Sequence, residues 1–167
     1  MRAPAAEALA DSGRALRLWL GGQAVAMLAV GVLTGLGLWA LGVPAALGLA
    51  IIATLLDFVP LVGPIAAAVP AILLALTVDP RTGLLTTLLY LVVQQIEGNL
   101  LQPLVQQRAV ELPPALLLFA LIGAGLLFGV LGVLLAAPLT VVIFVLVKRL
   151  YVRETLGEDT DVPGEAS

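Results

Sequence analysis

Cysteine and histidine are both absent from this 167-residue chain, aromatic residues make up 5% of it and charged residues only 11%. Without Cys or His, disulfides, thiolate nucleophiles, imidazole bases, haem ligation and ordinary zinc sites are excluded. Most hydrolytic chemistry goes with them. No enzyme activity, cofactor or metal is therefore expected, the more so because no Ser lies in any apolar run. The shortage of charge excludes a further class. Soluble domains carry roughly a quarter of their residues charged, whereas this chain is 61% hydrophobic and could not stay dissolved as a monomeric globule. The eight Lys and Arg and eleven Asp and Glu give a net charge of −3. Much of the acidic excess sits in the tail Glu154 to Glu165, so no nucleic-acid partner is expected.

What is present is apolar sequence in long uncharged runs, 18–56, 58–78 and 112–147. Each exceeds the roughly 18 apolar residues that signal a bilayer span, which makes the lipid bilayer the first partner. As single helices the first and last runs would be about 58 Å and 54 Å long, against a hydrocarbon core near 30 Å. Both must turn back. The turning points are written as Gly and Pro: LGVP at Leu41 to Pro44, and GAGLLFGVLG at Gly123 to Gly132.

The predicted fold class is all-α, a polytopic membrane helical bundle with Gly/Pro-broken hairpins. Residues 1–17 read as an amphipathic lead-in helix and 18–150 as the membrane region. Within that region helix A covers 18–41, a broken hairpin 44–78, helix C 82–107 and a second broken hairpin 114–147. Residues 151–167 form an acidic cytoplasmic tail. A cleavable signal peptide is not expected, because the apolar stretch after Arg17 is too long for one. The exposed turn DPRTG, Asp79 to Gly83, links the first hairpin to helix C.

Arg14 and Arg17 precede helix A, and Lys148, Arg149 and Arg153 follow the second hairpin. The positive-inside rule then puts both termini in the cytoplasm. Only Arg81 falls on the other side. Re-entrant and fully crossing hairpins satisfy the charges equally.

Placing Pro44 over Pro114 aligns VPAALGLA with PPALLLFA and Phe58 with Phe128, an offset of 70; FVPLVGPIAAAVP then matches FGVLGVLLAAP with a gap of two. Each unit is one long helix followed by one broken hairpin. Helix A starts inside and helix C outside, which is the pattern of an inverted repeat, as in many secondary transporters. The alternative is chance self-alignment of Ala/Leu/Gly/Pro-rich sequence.

Two places bring polar groups into the apolar runs. The break DFVPLVGP contains Asp57, Pro60, Gly63 and Pro64, and the arm from Ile65 would offer free N–H groups at a positive dipole end. That suits an anion or a hydroxyl-rich solute; a plain turn is the alternative. The second is QQIEGNLLQP, where Gln94, Gln95, Glu97, Asn99 and Gln102, with Gly98, cover a little over half of a helix. Lipid cannot be what so wide an arc faces. Carboxylates in membrane segments usually line a cavity and carry a transport or proton-relay role. Glu97 and Asp57 are therefore the candidate titrating groups, with interhelical packing or a wetted helix end as the alternative for Glu97. The pairs Gly31-x3-Gly35 and Gly125-x3-Gly129 read as sites of close helix packing.

At these residues the sequence resembles the C-terminal half of the AI-2E family of bacterial transporters, the autoinducer-2 exporter or PerM-like family. The stretches FVPLVGP with IAAAVPAILLAL, QQIEGNLLQPLVQQRAVELPPALLL, GLLFGVLGVLLAAPL and the closing KRLY carry the resemblance. It extends from Leu18 to about Leu156, and Pro60, Gly63, Pro64, Gln95, Glu97, Asn99 and Pro103 match the family motifs. Family members are about twice as long as this chain. The resemblance implies an inner-membrane, multi-pass transport protein that works as a homo-oligomer. The function expected is secondary transport or export of a small polar solute such as an autoinducer-2-like signal. The alternatives are a sodium (cation)/proton antiporter and, in another class, a truncated or non-transporting membrane scaffold. The substrate- or ion-binding candidates are Asp57, Pro60, Gly63, Pro64, Gln94, Gln95, Glu97, Asn99 and Gln102.

Overall fold

The computed structural model describes residues 2–103 and 113–149. The end of expected helix C, the link that follows it and the acidic tail 151–167 lie outside the described residues. Every regular element among those described is helical: α1 (Arg2–Ala40), α2 (Ala46–Leu56), α3 (Val62–Val78), α4 (Pro80–Ile96), a π-helical turn (Glu97–Leu101) and α5 (Pro114–Val147). Ala8–Ala40, Pro80–Leu101 and Ala115–Val147 are long and apolar enough to cross a bilayer. Large apolar side chains such as Leu47, Trp39, Ile65, Phe119 and Leu126 are exposed along the helices, as lipid-facing residues should be. The protein is an integral membrane helical bundle.

The chain divides into two compact units, residues 23–105 and residues 1–22 with 106–167. In the first, α1 ends because Gly42 takes a left-handed conformation (φ 69). The Val43 N–H bonds the Leu38 carbonyl and the Gly42 N–H the Trp39 carbonyl, both at 3.0 Å, a Schellman stop in which Leu38 and Val43 also share a core. That core continues through Leu49, Ala71 and Ala75, so α1, α2 and α3 meet on small and branched residues. A Cβ at Gly31 would strike Thr54 and one at Gly35 would press on Ala50; the expected close-packing glycines bring α1 against α2.

In the other unit the start of α1 packs on the end of α5, with Ala15, Val141 and Val145 fully buried and Trp19 and Phe144 around them. The 34 residues of α5 are two arms, for Gly129 has non-helical dihedrals (φ 62, ψ −141). Ala124 and Gly132 lie against each other, as do Gly125 and Val133, so the chain reverses at the glycine cluster where a break was expected.

Three expected boundaries change. The lead-in segment and helix A are one uninterrupted helix, because no residue between Pro4 and Gly42 stops it. The second arm of the first hairpin begins at Val62, not at Ile65. The DPRTG turn shrinks to a single joint. Asp79 caps α4 by accepting the Thr82 N–H at 2.8 Å and the Thr82 hydroxyl at 2.7 Å, and Pro80 takes the first helical position.

Candidate functional site

Within the unit 23–105, α1 to α4 enclose a cavity of about 10 Å³, lined by Val30 and Thr34 of α1, Ala53 and Asp57 at the end of α2, Pro64 and Ala67 of α3, and Tyr90, Val93, Gln94 and Glu97. That volume holds about one water molecule. The wall is unusual for its place in a membrane protein. Asp57 is 2% exposed and Glu97 6%, so two carboxylates share one small enclosed space.

Asp57 reaches this position because α2 stops at Leu56. Its backbone N–H continues the helix to the Ala53 carbonyl, and its own carbonyl accepts the Gln23 side-chain amide at 2.8 Å, which ties the break to α1. Neither carboxylate oxygen of Asp57 has a hydrogen-bond donor, and the Thr34 hydroxyl beside it has no partner. A buried polar atom left unmatched costs of the order of 1–3 kcal/mol, more if charged. Such groups accumulate where a ligand or a second state completes them.

Glu97 approaches from α4 at the start of the π-helical turn, where the Gln102 N–H bonds the Glu97 carbonyl five residues back. Single π turns inside α-helices frequently mark functional positions. The Glu97 carboxylate accepts the Gln94 side-chain amide at 3.3 Å and a hydrogen bond from the Gln102 side chain. Tyr90 gives its hydroxyl proton to the Ala67 carbonyl at 3.3 Å, linking α4 to α3.

Of the residues expected from sequence, Asp57, Pro64, Gln94 and Glu97 line the cavity and Gln102 touches it through Glu97. Pro60 lies in the turn, its carbonyl taken by the Val62 N–H at 2.9 Å, and Gly63 is buried with its N–H on the Val59 carbonyl at 2.8 Å. The first N–H groups of the second arm are therefore spent on the turn, and Pro64 has none. They are not free for an anion. Gln95 and Asn99 are exposed on the other side of α4, in an open groove with Leu88, Leu91, Val92, Ile96 and Leu100, where the Asn99 amide bonds the Gln95 carbonyl.

Sequence reasoning missed Gln23, Thr34 and Tyr90; Thr86, one turn before Tyr90, is also fully buried with its hydroxyl unpartnered but is not among the residues lining the cavity. The signal was present. Counting back from Glu97 by 7 and 11 residues reaches Tyr90 and Thr86, the same helical face. Gln23 and Thr34 are two of the few polar side chains in the uncharged run 18–56.

Comparison with known proteins agrees with this architecture. The profile of the AI-2E family transporters matches residues 1–151. YrrI of Bacillus subtilis (strain 168), provisionally named a transport protein, is 33% identical over 138 residues, 83% of this chain and 39% of YrrI. YueF of the same organism, similarly named, is 35% identical over 80% of this chain and 36% of its own length. The AI-2 transport protein TqsA of Escherichia coli (strain K12) is 31% identical over 72% of this chain and 37% of TqsA. The chain thus spans less than two fifths of these relatives' length. With the family profile matched over residues 1–151 and relatives at 30% identity or more over most of its length, this chain belongs to the AI-2E transporter family.

Proposed function

We propose that the chain forms the solute-handling part of a secondary transporter for a small polar solute in the bacterial inner membrane, with both termini cytoplasmic. The observation that carries this reading is the cavity itself: two buried carboxylates, Asp57 and Glu97, face one space among membrane helices, and the Asp57 oxygens have no donor. Such an arrangement is expensive to keep in lipid. The cavity has room for about one water, so in this conformation the solute is shut out, and admitting it requires the α2–α3 joint to part from α4. Alternating access follows if that joint opens to one side at a time. An autoinducer-2-like solute is suggested by the name of TqsA and fits a wall of carboxylates and hydroxyls.

One observation favours a second reading, cation/proton exchange: a space of single-ion size lined by two carboxylates suits a bare cation better than an organic molecule. Inside-out bacterial vesicles holding the protein separate the two. Solute uptake that falls about tenfold or more in both Asp57→Asn and Glu97→Gln, with no sodium-dependent pH change in the parent, supports solute transport. A sodium-dependent pH change abolished by the same variants supports exchange. Wild-type behaviour in both variants removes the cavity from the transport path.

A further inference from the structure

Buried polar side chains continue along α4 beyond the carboxylate cavity. The buried residues of that helix are Thr82, Gly83, Thr86 and Val93, and the π-helical turn adds Glu97. Only Val93 among them is large and apolar. Thr82, Thr86, Tyr90 and Glu97 fall within an arc of about 80°, so they form one row along the helix. Thr86 stands one turn past Tyr90, about 6 Å further along the axis from the cavity. The register of α3 against α4 is fixed at two points: Tyr90 bonds the Ala67 carbonyl, and Leu76 fills the place that a Cβ on Gly83 would take. By that register Thr86 is level with Ala71, a member of the apolar core with Leu38, Val43 and Leu49. The row then reaches the α3–α4 joint, where the Thr82 hydroxyl is held by Asp79.

Thr86 is 0% exposed, as is Thr34 in the cavity wall, and neither hydroxyl has a partner. Every other threonine among the described residues is satisfied. Thr54, Thr77, Thr87 and Thr140 give their hydroxyls to carbonyls of their own helices, and Thr82 gives its hydroxyl to Asp79. A helical threonine has such a carbonyl one turn back, yet Thr34 and Thr86 forgo it. A buried hydroxyl without a partner is destabilising, whereas valine has the same shape and no such cost. Packing therefore does not account for threonine at either position. The hydroxyl can both donate and accept, and Asp57, in the same cavity as Thr34, lacks a donor. A polar solute bearing O–H or N–H groups supplies what all three side chains are missing.

We propose that Thr34 and Thr86 contact the solute, on a path that leaves the carboxylate cavity along α4, passes Tyr90 and opens at the α3–α4 joint. The proposal rests on the transport reading and extends it by naming the way in. In the present conformation the core around Ala71 closes the path.

Because the chain has no cysteine, an introduced one reports the path directly. The full chain in lipid vesicles is treated on both faces of the membrane with aminoethyl methanethiosulfonate, a small cationic thiol reagent. Thr140→Cys is the reference, 6% exposed in α5 at a threonine satisfied by its own backbone. Static burial alone would make Thr34→Cys and Thr86→Cys the slower to react. The path requires the reverse, with both labelled about tenfold faster than Thr140→Cys as the seam opens. Rates at or below that of Thr140→Cys overturn the proposal. Solute uptake and thermal unfolding of Thr86→Val provide the second measurement. Uptake should fall about fivefold, the loss of one hydrogen bond to the solute, while the melting temperature holds or rises. Thr86→Ser, which keeps the hydroxyl, should recover most of the uptake. Parent-like uptake in Thr86→Val, or a lowered melting temperature that reveals a structural partner for the hydroxyl, overturns the contact. Parent-like uptake in Asp57→Asn and Glu97→Gln ends the transport reading instead. Fast labelling of Thr86→Cys in those vesicles would still establish a wet path along α4, and slow labelling would end that as well.

Discussion

At the α2–α3 joint the chain reverses through Leu61 (φ 70), and Gly63 lies so close to the Leu56 carbonyl that a Cβ would collide with it. In α5 it reverses through Gly129 (φ 62), and Gly132 lies equally close to the Ala124 carbonyl. The two bends are built alike, each with one left-handed residue and one glycine pressed on a carbonyl of the preceding arm. Their chemistry is not alike. Asp57 is buried at the first, while Leu127, which the 70-residue offset places over it, is 76% exposed at the second. A tight reversal in a membrane segment therefore needs no carboxylate. Asp57 is at its joint for some reason other than turning the chain, and that strengthens its claim as a working residue.

The largest test of the comparison is steric. Gly63→Ala and Gly132→Ala each force a methyl group into a backbone carbonyl that cannot step aside, and each should cost about 3 kcal/mol or more, at the upper end for overpacked sites. Gly48→Ala, where a Cβ meets nothing within 4 Å, should be harmless. Thermal unfolding in detergent, or yield in the membrane fraction, measures all three. If Gly63→Ala fails and Gly132→Ala is tolerated, the bends are not equivalent and the likeness between them dissolves.

The next test separates turning from chemistry. Asp57→Asn keeps the side-chain shape and removes a carboxylate that has no donor, so the protein should be at least as stable as the parent, by up to about 1–3 kcal/mol. On the transport reading proposed above, the same change should lower transport about tenfold or more. A marked loss of stability would mean that Asp57 holds the joint together, and the contrast with Leu127 would be structural after all.

The hydrophobic runs and their breaks are legible in the sequence because the bilayer leaves few choices: an uncharged run too long for one crossing must bend, and Gly and Pro say where. Leu41 to Pro44, the break after Leu56 and Gly129 all lie at such marks. The site is legible only in part. Asp57 and Glu97 stand out as carboxylates among apolar residues, and the structure brings both to one cavity. The arc Gln94 to Gln102 reads as a single face, yet buried Thr86, Val93 and Glu97 put the inner face to one side of it and leave Gln95 and Asn99 outside. Helical angle alone does not tell which part of a wide polar arc points inward. The positions of buried residues one and two turns away do. Thr34 escapes notice because a lone threonine in a helix commonly bonds its own backbone, as Thr54 and Thr140 do here. Nothing in the sequence indicates that Thr34 does not.

A smaller pair of changes probes the left-handed residues, and they should act with opposite signs. Gly129 has dihedrals that non-glycine residues rarely adopt, so Gly129→Ala should destabilise by roughly 1–3 kcal/mol. Leu61 holds a left-handed φ with a branched side chain that is half exposed, so Leu61→Gly should relieve strain and stabilise by about 1 kcal/mol. Thermal unfolding again decides. Destabilisation by both would show that the Leu61 side chain contributes contacts worth more than the strain, and that the first joint is held differently from the second.

The smallest effect concerns how the helices next to the two bends begin. Asp79 caps α4, which follows the first hairpin, whereas α5 starts after Pro113 with no side-chain cap. The Thr82 hydroxyl and then the Thr82 N–H hold the Asp79 carboxyl below the usual carboxylate range. A group whose folded pKa is depressed contributes stability that is fully present above its unfolded value, near 3.9, and is lost as pH falls through the lower folded value. At neutral pH, Asp79→Ala should therefore lower the melting temperature slightly. The difference between parent and Asp79→Ala should persist down to about pH 4 and shrink below it, as the charged contribution of the cap is lost. Circular dichroism melts across that range measure it. A difference that stays constant to the lowest pH would assign the cap's contribution to hydrogen bonds that survive protonation, and the α4 start would then owe nothing to charge.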